Sequence, residues 1–303
     1  MFELKKYGLR ALAAAGISAA IMLAGASAQA SHWRGGSIAW TPSAVAANTI
    51  DFTVTSFWRR SFFGAPNLGD PINLFGSDGT LSFGDGATVN VSANSSVTTV
   101  FAANDWIGVT STATHTYGVA GPFTAIYANN DCCRIGSLQN NAGGAFELHS
   151  VVNLGMGSSP NAGSSSPIFL VPDGGIQMFN PFSLSDPDGG PHGFALATAT
   201  EAGSGFANPL NLSINALTGD ISWDTDTTSG GNAQVGDLFS LSMIVTDPTG
   251  NTAPLDIILQ VCDSQVQGCG GFQGVVSEPG TLAGLGIGLV GLAAIRRRRK
   301  MVA

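Results

Sequence analysis

The sequence predicts an all-β protein whose folded part lies between two hydrophobic terminal segments. Short runs rich in Val, Ile, Thr and Phe recur through residues 31–276 and are separated by Gly, Asn, Asp and Pro, as in strands joined by turns. Outside the termini, no segment shows the 3.6-residue apolar period of an amphipathic helix. The stretches expected as strands are 36–40, 49–58, 96–101, 114–117, 123–129, 144–153, 177–182, 210–214, 220–223, 239–247 and 255–261.

The first thirty residues have the three parts of a secretory signal peptide. Three cations within the first ten residues precede an alanine-rich apolar stretch at 11–26. Ala28 and Ala30 then form a small-residue cleavage site, so the mature protein is expected to begin at Ser31. Residues 1–30 therefore predict export through the Sec translocon.

The last 27 residues, 277–303, also have three parts. Ser277 and Glu278 precede the helix-breaking Pro279, and an uncharged glycine-rich run occupies 281–295. As a helix this run would be about 23 Å long, shorter than the roughly 30 Å hydrocarbon core, so it predicts a marginal transmembrane helix. A cationic cluster follows, which should stay cytoplasmic and place the preceding chain outside. Its members are Arg296, Arg297, Arg298, Arg299 and Lys300.

This order of short motif, apolar helix and arginine cluster resembles the PEP-CTERM sorting signal of Gram-negative bacteria. Glu278 and Pro279 match the end of the Pro-Glu-Pro motif, and Ser277 stands where the first proline usually stands. The resemblance implies a transient inner-membrane anchor, processing by an exosortase, and delivery to the cell surface or the extracellular space. A plain C-terminal membrane anchor is the alternative, and it predicts the same orientation.

Between the two signals the chain is strongly acidic. Residues 31–276 contain four arginines, no lysine, and 18 Asp and Glu residues, a formal net charge of −14. Binding to nucleic acid or to anionic lipid depends on Lys and Arg. This composition therefore argues against both as partners.

Four cysteines lie in the exported region, where an oxidising compartment favours disulfides. Four cysteines allow three pairings. Cys262 and Cys269 would close a short loop. Cys132 and Cys133 are neighbours, and because a bond between neighbours is strained, long-range pairing with the other two cysteines is an equal alternative.

Residues 31–157 are expected to form a first domain. Its motifs are Phe-Gly-Asp-Gly at 83–86, whose glycines suit the positive φ of a tight turn, and a strand–turn–strand beginning at His115. Together they resemble the PKD-type immunoglobulin-like sandwich, with an inserted loop assumed at 90–109. The core-facing residues of the two strands are then Tyr117, Phe123 and Ala125.

The glycine- and serine-rich residues 158–166 suggest a flexible linker to a second domain at 167–263, and a second linker covers 264–276. Motifs at 182–189 and 217–223 resemble those of cadherin-like or putative-Ig modules of bacterial surface proteins. The expected architecture is therefore two Ig-like β-sandwich domains between a signal peptide and a hydrophobic sorting helix.

Carboxylates in the second domain suggest calcium as a bound ion, because hard oxygen ligands suit it. The sequence has no EF-hand loop there, and aspartates in turns also bond to their own backbone. Calcium is therefore an alternative to a purely structural role, and no other cofactor is expected. The candidate ligands are Asp186, Asp188, Asp220 and Asp247.

No catalytic motif is present. The four histidines are scattered without H-E-x-x-H, no G-x-S-x-G elbow occurs, and His115 is expected to be structural. The apolar-basic run at 57–63, with Trp58 and Phe62, is either a sugar-stacking surface or a strand end packed in the core.

These features predict a non-enzymatic surface or matrix protein with a structural or adhesive role, associated with exopolysaccharide or biofilm. A calcium-dependent adhesion or carbohydrate-binding module is the main rival. The third hypothesis is a polysaccharide-active enzyme, which would need a pair of carboxylates in a cleft.

Overall fold

The computed structural model describes residues 32–74, 79–226, 233–266 and 268–272. The strands are β1 Trp33–Pro42, β2 Thr49–Arg59, β3 Thr80–Ser82, β4 Thr88–Asn90, β5 Ser95–Phe101, β6 Trp106–Thr116, β7 Pro122–Cys133, β8 Ala145–Asn153, β9 Asn161–Gly163, β10 Ile168–Pro172, β11 Ile176–Phe179, β12 Ser183–Ser185, β13 Gly193–Leu196, β14 Leu212–Ile214, β15 Ile221–Asp224, β16 Leu238–Thr246, β17 Thr252–Cys262 and β18 Gly271–Phe272. One short helix, α1, spans Ala199–Ala202, and 3-10 turns occupy Arg60–Phe63, Val91–Asn94 and Ala102–Asn104.

The all-β prediction is confirmed: in the described part, α1 is the one α-helix and the sheets are mainly antiparallel. Every stretch expected as a strand overlaps one. The strands that the sequence did not indicate are mostly two to five residues long, too short to show a period of two. The loop assumed at 90–109 is wrong in part, because β5 and the start of β6 lie there.

A central sheet runs through both halves of the chain in the order β13-β16-β17-β1-β2-β6-β5. The halves join where β1 pairs with β17, through Gly36 with Asp256 and Ser37 with Leu255. At Gly35 the backbone has φ +134°, and an added Cβ would lie 2.2 Å from the Asp256 carbonyl oxygen, so this approach requires glycine. On the same edge of β17, β10 pairs in parallel and β18 extends β10.

Two hydrophobic cores lie on opposite faces of this sheet. Directly paired residues share a face, and neighbours along a strand alternate. Ile38 and Trp40 belong to the first core, whereas Leu255, the partner of Ser37, belongs to the second. The β4-β3-β7-β8 sheet covers the first core, and the β11-β15-β14 and β12-β9 sheets cover the second.

The residues expected as the first linker, 158–166, are ordered and include β9. Ser159 exchanges hydrogen bonds with the backbone of Trp40, and the backbone N–H of Ser158 donates to Asp188. Serine-rich composition suggested a spacer, but here the hydroxyl groups bond to a neighbouring strand. The domain boundaries stay a prediction; the structure shows a sheet that continues through both halves.

Both targeting signals lie outside the described residues. These are the cleavage site at Ala28, Ala30 and Ser31 and the sorting signal at 277–303. Within the described ranges, no helix is long and apolar enough to cross a membrane.

Candidate interaction surface

Beyond the smaller sheets, the central sheet carries a regular array of hydroxyl groups that are mostly exposed or half-buried, and Ser37 at its edge is buried. The array lies on the side of Leu255, opposite the first core, and extends over three adjacent strands. We call this array the hydroxyl face. Its members are Ser37, Ala39 and Thr41 of β1, Asp51, Thr53 and Thr55 of β2, and Thr110, Thr112 and Thr114 of β6.

Strand register sets these nine residues in three straight rows. Ala39 pairs with Thr53, which pairs in turn with Thr112. The flanking rows are Ser37, Thr55 and Thr110 on one side and Thr41, Asp51 and Thr114 on the other. Sheet geometry spaces neighbours in a row by about 4.8 Å and successive rows by about 6.7 Å.

Alternation along β2 and β6 produces the face. Phe52 and Val54 of β2 and Val109 of β6 point into the first core, so the residues between them point outward. Threonine is favoured in strands because its branched side chain packs on a pleated surface. Thr53 and Thr112, at the centre of the face, are exposed.

A groove borders the hydroxyl face where β9 and β12 lie beside β1. Its floor is the β1 and β2 part of the hydroxyl face, and its wall is formed by Ser159, Asn161, Ser185 and Pro187. The groove has a volume of about 220 Å³. Its lining combines hydroxyl and amide side chains with the apolar surfaces of Ala39, Trp40 and Pro187.

Asp51 is the one ionisable residue of the face. Thr114 Oγ1 donates a hydrogen bond to Asp51 Oδ1 at 2.7 Å. Thr98 and Thr110 also share a hydrogen bond, at 3.2 Å between hydroxyl oxygens. The face therefore presents neutral donors and acceptors around a single carboxylate, with no cation among its nine residues.

The apolar-basic run at 57–63 divides between core and surface. Trp58 is 0% exposed and belongs to the first core, whereas Phe62 is 42% exposed and stacks on His32, with ring centroids 3.8 Å apart. Arg60 donates to the carbonyl oxygens of Ala65 and Pro66.

The remaining cations of this region interact with one another and with a carboxylate. Burial, followed by the charge of Arg59, lowers the pKa of Arg34 to about 10, and Asp105 acts in the opposite direction. Burial opposes ionisation of Asp105, but its bonds from Ser61 and Arg59 outweigh that effect and lower its pKa. Asp105 thus offsets part of the repulsion between Arg34 and Arg59.

The four candidate calcium ligands each accept hydrogen bonds from nearby protein groups. Asp186 pairs with His192 at 2.8 Å, and Asp188 accepts from the backbone of Ser158. Asp220 accepts from Thr218 and then from Asn180, and these bonds lower its pKa.

Asp247, the last of these ligands, is 5% exposed. One of its oxygens accepts from Thr249 and Asn251, and the other is buried and has no hydrogen-bond partner among the described residues. Within the described ranges, no three His, Cys, Asp or Glu side chains gather in an arrangement that would hold a metal. Calcium binding stays an alternative to a purely structural role of these carboxylates.

Three of the four histidines pair with carboxylates. The distances are 2.7 Å for His115 with Asp85, 2.6 Å for His149 with Glu147, and 2.8 Å for His192 with Asp186. His115 also stacks on Phe83 of the first core, with centroids 4.1 Å apart. The imidazole of His115 thus lies between the Asp85 carboxylate and the Phe83 ring, and its structural role stays a prediction.

Tyr117 and the turn at 83–86 meet in the first core. The Tyr117 hydroxyl donates to the carbonyl oxygen of Phe83, and burial, followed by the charge of Asp85, raises the pKa of Tyr117. Gly84 and Gly86 have positive φ, as the turn motif predicts. Tyr117 stacks on Phe123 at 4.3 Å, and Ala125 is buried.

Cys262 and Cys269 form a disulfide between the end of β17 and the turn before β18. Cys133 is also disulfide-bonded, and the side chain of Cys132 lies outside the described residues. The C-terminal pair thus closes the short loop between its own two cysteines.

Two comparisons identify parts of the chain. A family model described as the PEP-CTERM protein-sorting motif matches residues 275–299. A model described as the N-terminal region of Integrin beta-like proteins A–E matches residues 34–155, which contain all of the hydroxyl face. The PKD-like and cadherin-like modules expected in these regions stay predictions.

Three curated proteins of Dictyostelium discoideum are similar to this chain. Integrin beta-like protein A is 29% identical over 84% of the chain, protein B 25% over 77%, and protein C 33% over 41%. The matches span 14%, 11% and 6% of those proteins, respectively. The chain therefore carries a PEP-CTERM sorting motif behind an N-terminal region similar to that of Integrin beta-like proteins A–E.

Proposed function

We propose that this protein is a non-enzymatic structural or adhesive component of the bacterial cell surface or extracellular matrix, associated with exopolysaccharide or biofilm. The Sec translocon exports it, the C-terminal helix anchors it transiently in the inner membrane, and an exosortase processes it. The observation that carries this proposal is the sorting motif at 275–299, placed behind a region similar to Integrin beta-like proteins.

The adhesive part of the proposal rests on similarity to proteins that this chain covers only in small part. Its support in the structure is a β-rich exported region with an uncovered, regular surface. Two cores, each between sheets, support the expected pair of Ig-like modules. The charge of −14 across 31–276 suits a soluble domain outside the cell.

A carbohydrate-binding role is the second candidate, and the hydroxyl face is the observation that favours it. A calcium-dependent adhesion module would use the unpaired oxygen of Asp247. A polysaccharide-active enzyme would need paired carboxylates, but the hydroxyl face has Asp51 alone.

Surface labelling of intact cells tests the proposal. The protein expressed from the complete gene should be labelled by antibody and cleaved by external protease, and a strain that lacks the gene should adhere less to surfaces. A chain that ends at residue 276 should be exported but should fail to restore adhesion. Retention of the full chain inside the cell envelope, with normal adhesion of the deletion strain, would contradict the proposal.

A further inference from the structure

We infer that the hydroxyl face binds a neutral polysaccharide, with one sugar unit seated in the groove beside β9 and β12. The inference rests on the proposed function, because it names the ligand class that the exported protein meets at the surface. It also places the binding on one side of the central sheet, the side of Leu255.

The hydroxyl face lies on the same side of the central sheet as the second core, but beyond the smaller sheets that cover that core. Around Leu255 the same side of the central sheet is buried beneath the smaller sheets. That cover ends at β9 and β12, and beyond it Thr53 and Thr112 are exposed. Thr53 lies on β2 and Thr112 on β6. Each of these strands is paired on both sides, so the array is held in the interior of a sheet and not on a loop.

The hydroxyls at the centre of the face are available to a ligand. Among the described residues, those of Thr53, Thr55 and Thr112 have no protein partner. A threonine hydroxyl can donate one hydrogen bond and accept others, as a sugar hydroxyl does. Since both sides of such an interface are neutral and hydroxylated, each bond can form in either direction.

Charge selects a neutral ligand over an anionic one. The face contains the carboxylate of Asp51 and no cation, and the exported region as a whole has a net charge of −14. A polyanion would be repelled over a distance of about 8 Å at physiological ionic strength. A neutral glycan carries no such penalty, and Asp51 can accept from its hydroxyls.

The size of the groove agrees with one unit of a polymer. At about 220 Å³ it is smaller than the about 300–1,000 Å³ of pockets that enclose drug-sized ligands. A single ring seated there would leave the rest of the chain to extend over the open rows of threonines.

Affinity electrophoresis and pull-down with the exported full chain test the inference. The probes are neutral glucans, mannans and galactans, with alginate as the polyanionic comparison. In the test variant, Thr53→Val/Thr112→Val, the side chains keep their shape and β propensity, but the hydroxyls of two cross-strand neighbours are lost. The matched control is Thr88→Val/Thr124→Val in the β4-β3-β7-β8 sheet.

We expect at least one neutral glycan to bind, and the test variant to bind it about tenfold more weakly, as for two net hydrogen bonds lost. The control variant should bind as the parent does, and the thermal midpoints of all three proteins should agree. Equal binding by parent and test variant, binding of alginate alone, or no binding to any neutral glycan would overturn the inference.

Sedimentation separates one further outcome. A dimer that the Thr53→Val/Thr112→Val change dissociates would identify the face as a self-association surface and overturn glycan binding. Surface labelling distinguishes this failure from failure of the proposed function, since a labelled, adhesive protein that binds no neutral glycan contradicts the inference alone.

Discussion

Arg134 and Asp256 form a buried two-point ion pair that joins the end of β7 to β17. Arg134 Nη1 lies 3.1 Å from Asp256 Oδ1, and Nη2 lies 2.5 Å from Oδ2. The same guanidinium donates to Ser240 and to the carbonyl oxygens of Ala145 and Ala202. Burial raises the pKa of Asp256, and the charge of Arg134 acts against that rise.

Replacing Arg134 with Met should destabilise the protein by about 3–5 kcal/mol, because it leaves Asp256 buried and uncompensated. Urea unfolding measures the change. Arg134→Met/Asp256→Leu should recover much of the loss, since it removes both charges. Arg59→Met, in an exposed pair with Asp105, is the control and should cost about 1 kcal/mol or less. Equal losses of stability from Arg134→Met and Arg59→Met would contradict a larger role for the buried ion pair.

Trp58 and Phe62 should respond differently to truncation. Trp58→Ala should cost about 3–5 kcal/mol because it empties a site in the first core. Phe62→Ala removes a half-exposed ring and should cost about 1 kcal/mol or less. Thermal unfolding of both variants checks this. A large loss of stability with Phe62→Ala would place that ring in the core instead.

Asp85 should make part of the stability depend on pH. The backbone N–H of Ala87, followed by the side chain of His115, lowers the pKa of Asp85 in the folded protein. A lowered folded pKa means that the contribution is complete above the unfolded value of about 4 and is lost as pH falls through the folded value.

Asp85→Asn should therefore lower stability at pH 7, by about 0.5 kcal/mol or less because solvent screens this exposed carboxylate, and by progressively less below about pH 4. Unfolding curves at pH 7, 5 and 3 measure it. Asp226→Asn, in an exposed turn, should leave stability unchanged at each pH. A stability difference between Asp85→Asn and the parent protein that grows on acidification would contradict this prediction.

Millimolar Ca²⁺ should leave the melting temperature unchanged. Asp186, Asp188 and Asp220 already accept hydrogen bonds from protein groups, and the described residues hold no metal-binding cluster. Ligand binding to the folded state would raise the melting temperature in a saturable way. Such a rise, abolished by Asp247→Asn and retained in Asp263→Asn, would contradict this expectation and place the ion at the buried Asp247 oxygen.

Runs of Val, Ile, Thr and Phe were sufficient to predict β2, and the glycines at 84 and 86 indicated a tight turn. Most of β6 was missed, because residues 90–109 were expected to form an inserted loop. The serine-rich segment at 158–166 looked like a spacer because its bonds to Trp40 depend on contacts 119 residues apart. Composition alone does not specify such partners.

The hydroxyl face depends on register between distant strands, and for that reason it was not predicted. Threonine at every second position from 110 to 116 in β6 is visible in the sequence, but it fits any half-exposed strand. The three rows exist because β1, β2 and β6 are adjacent and in register. Which side stays open depends on the pairing of Ser37 with Leu255, across more than two hundred residues.

The proposed function depends most directly on processing of the C-terminal sorting signal after export. Intact-mass spectrometry of the protein released from the cell surface measures this directly. We predict a mature chain that begins at Ser31 and lacks the cluster from Arg296 to Lys300. A surface protein that retains the complete arginine-rich tail would contradict processing.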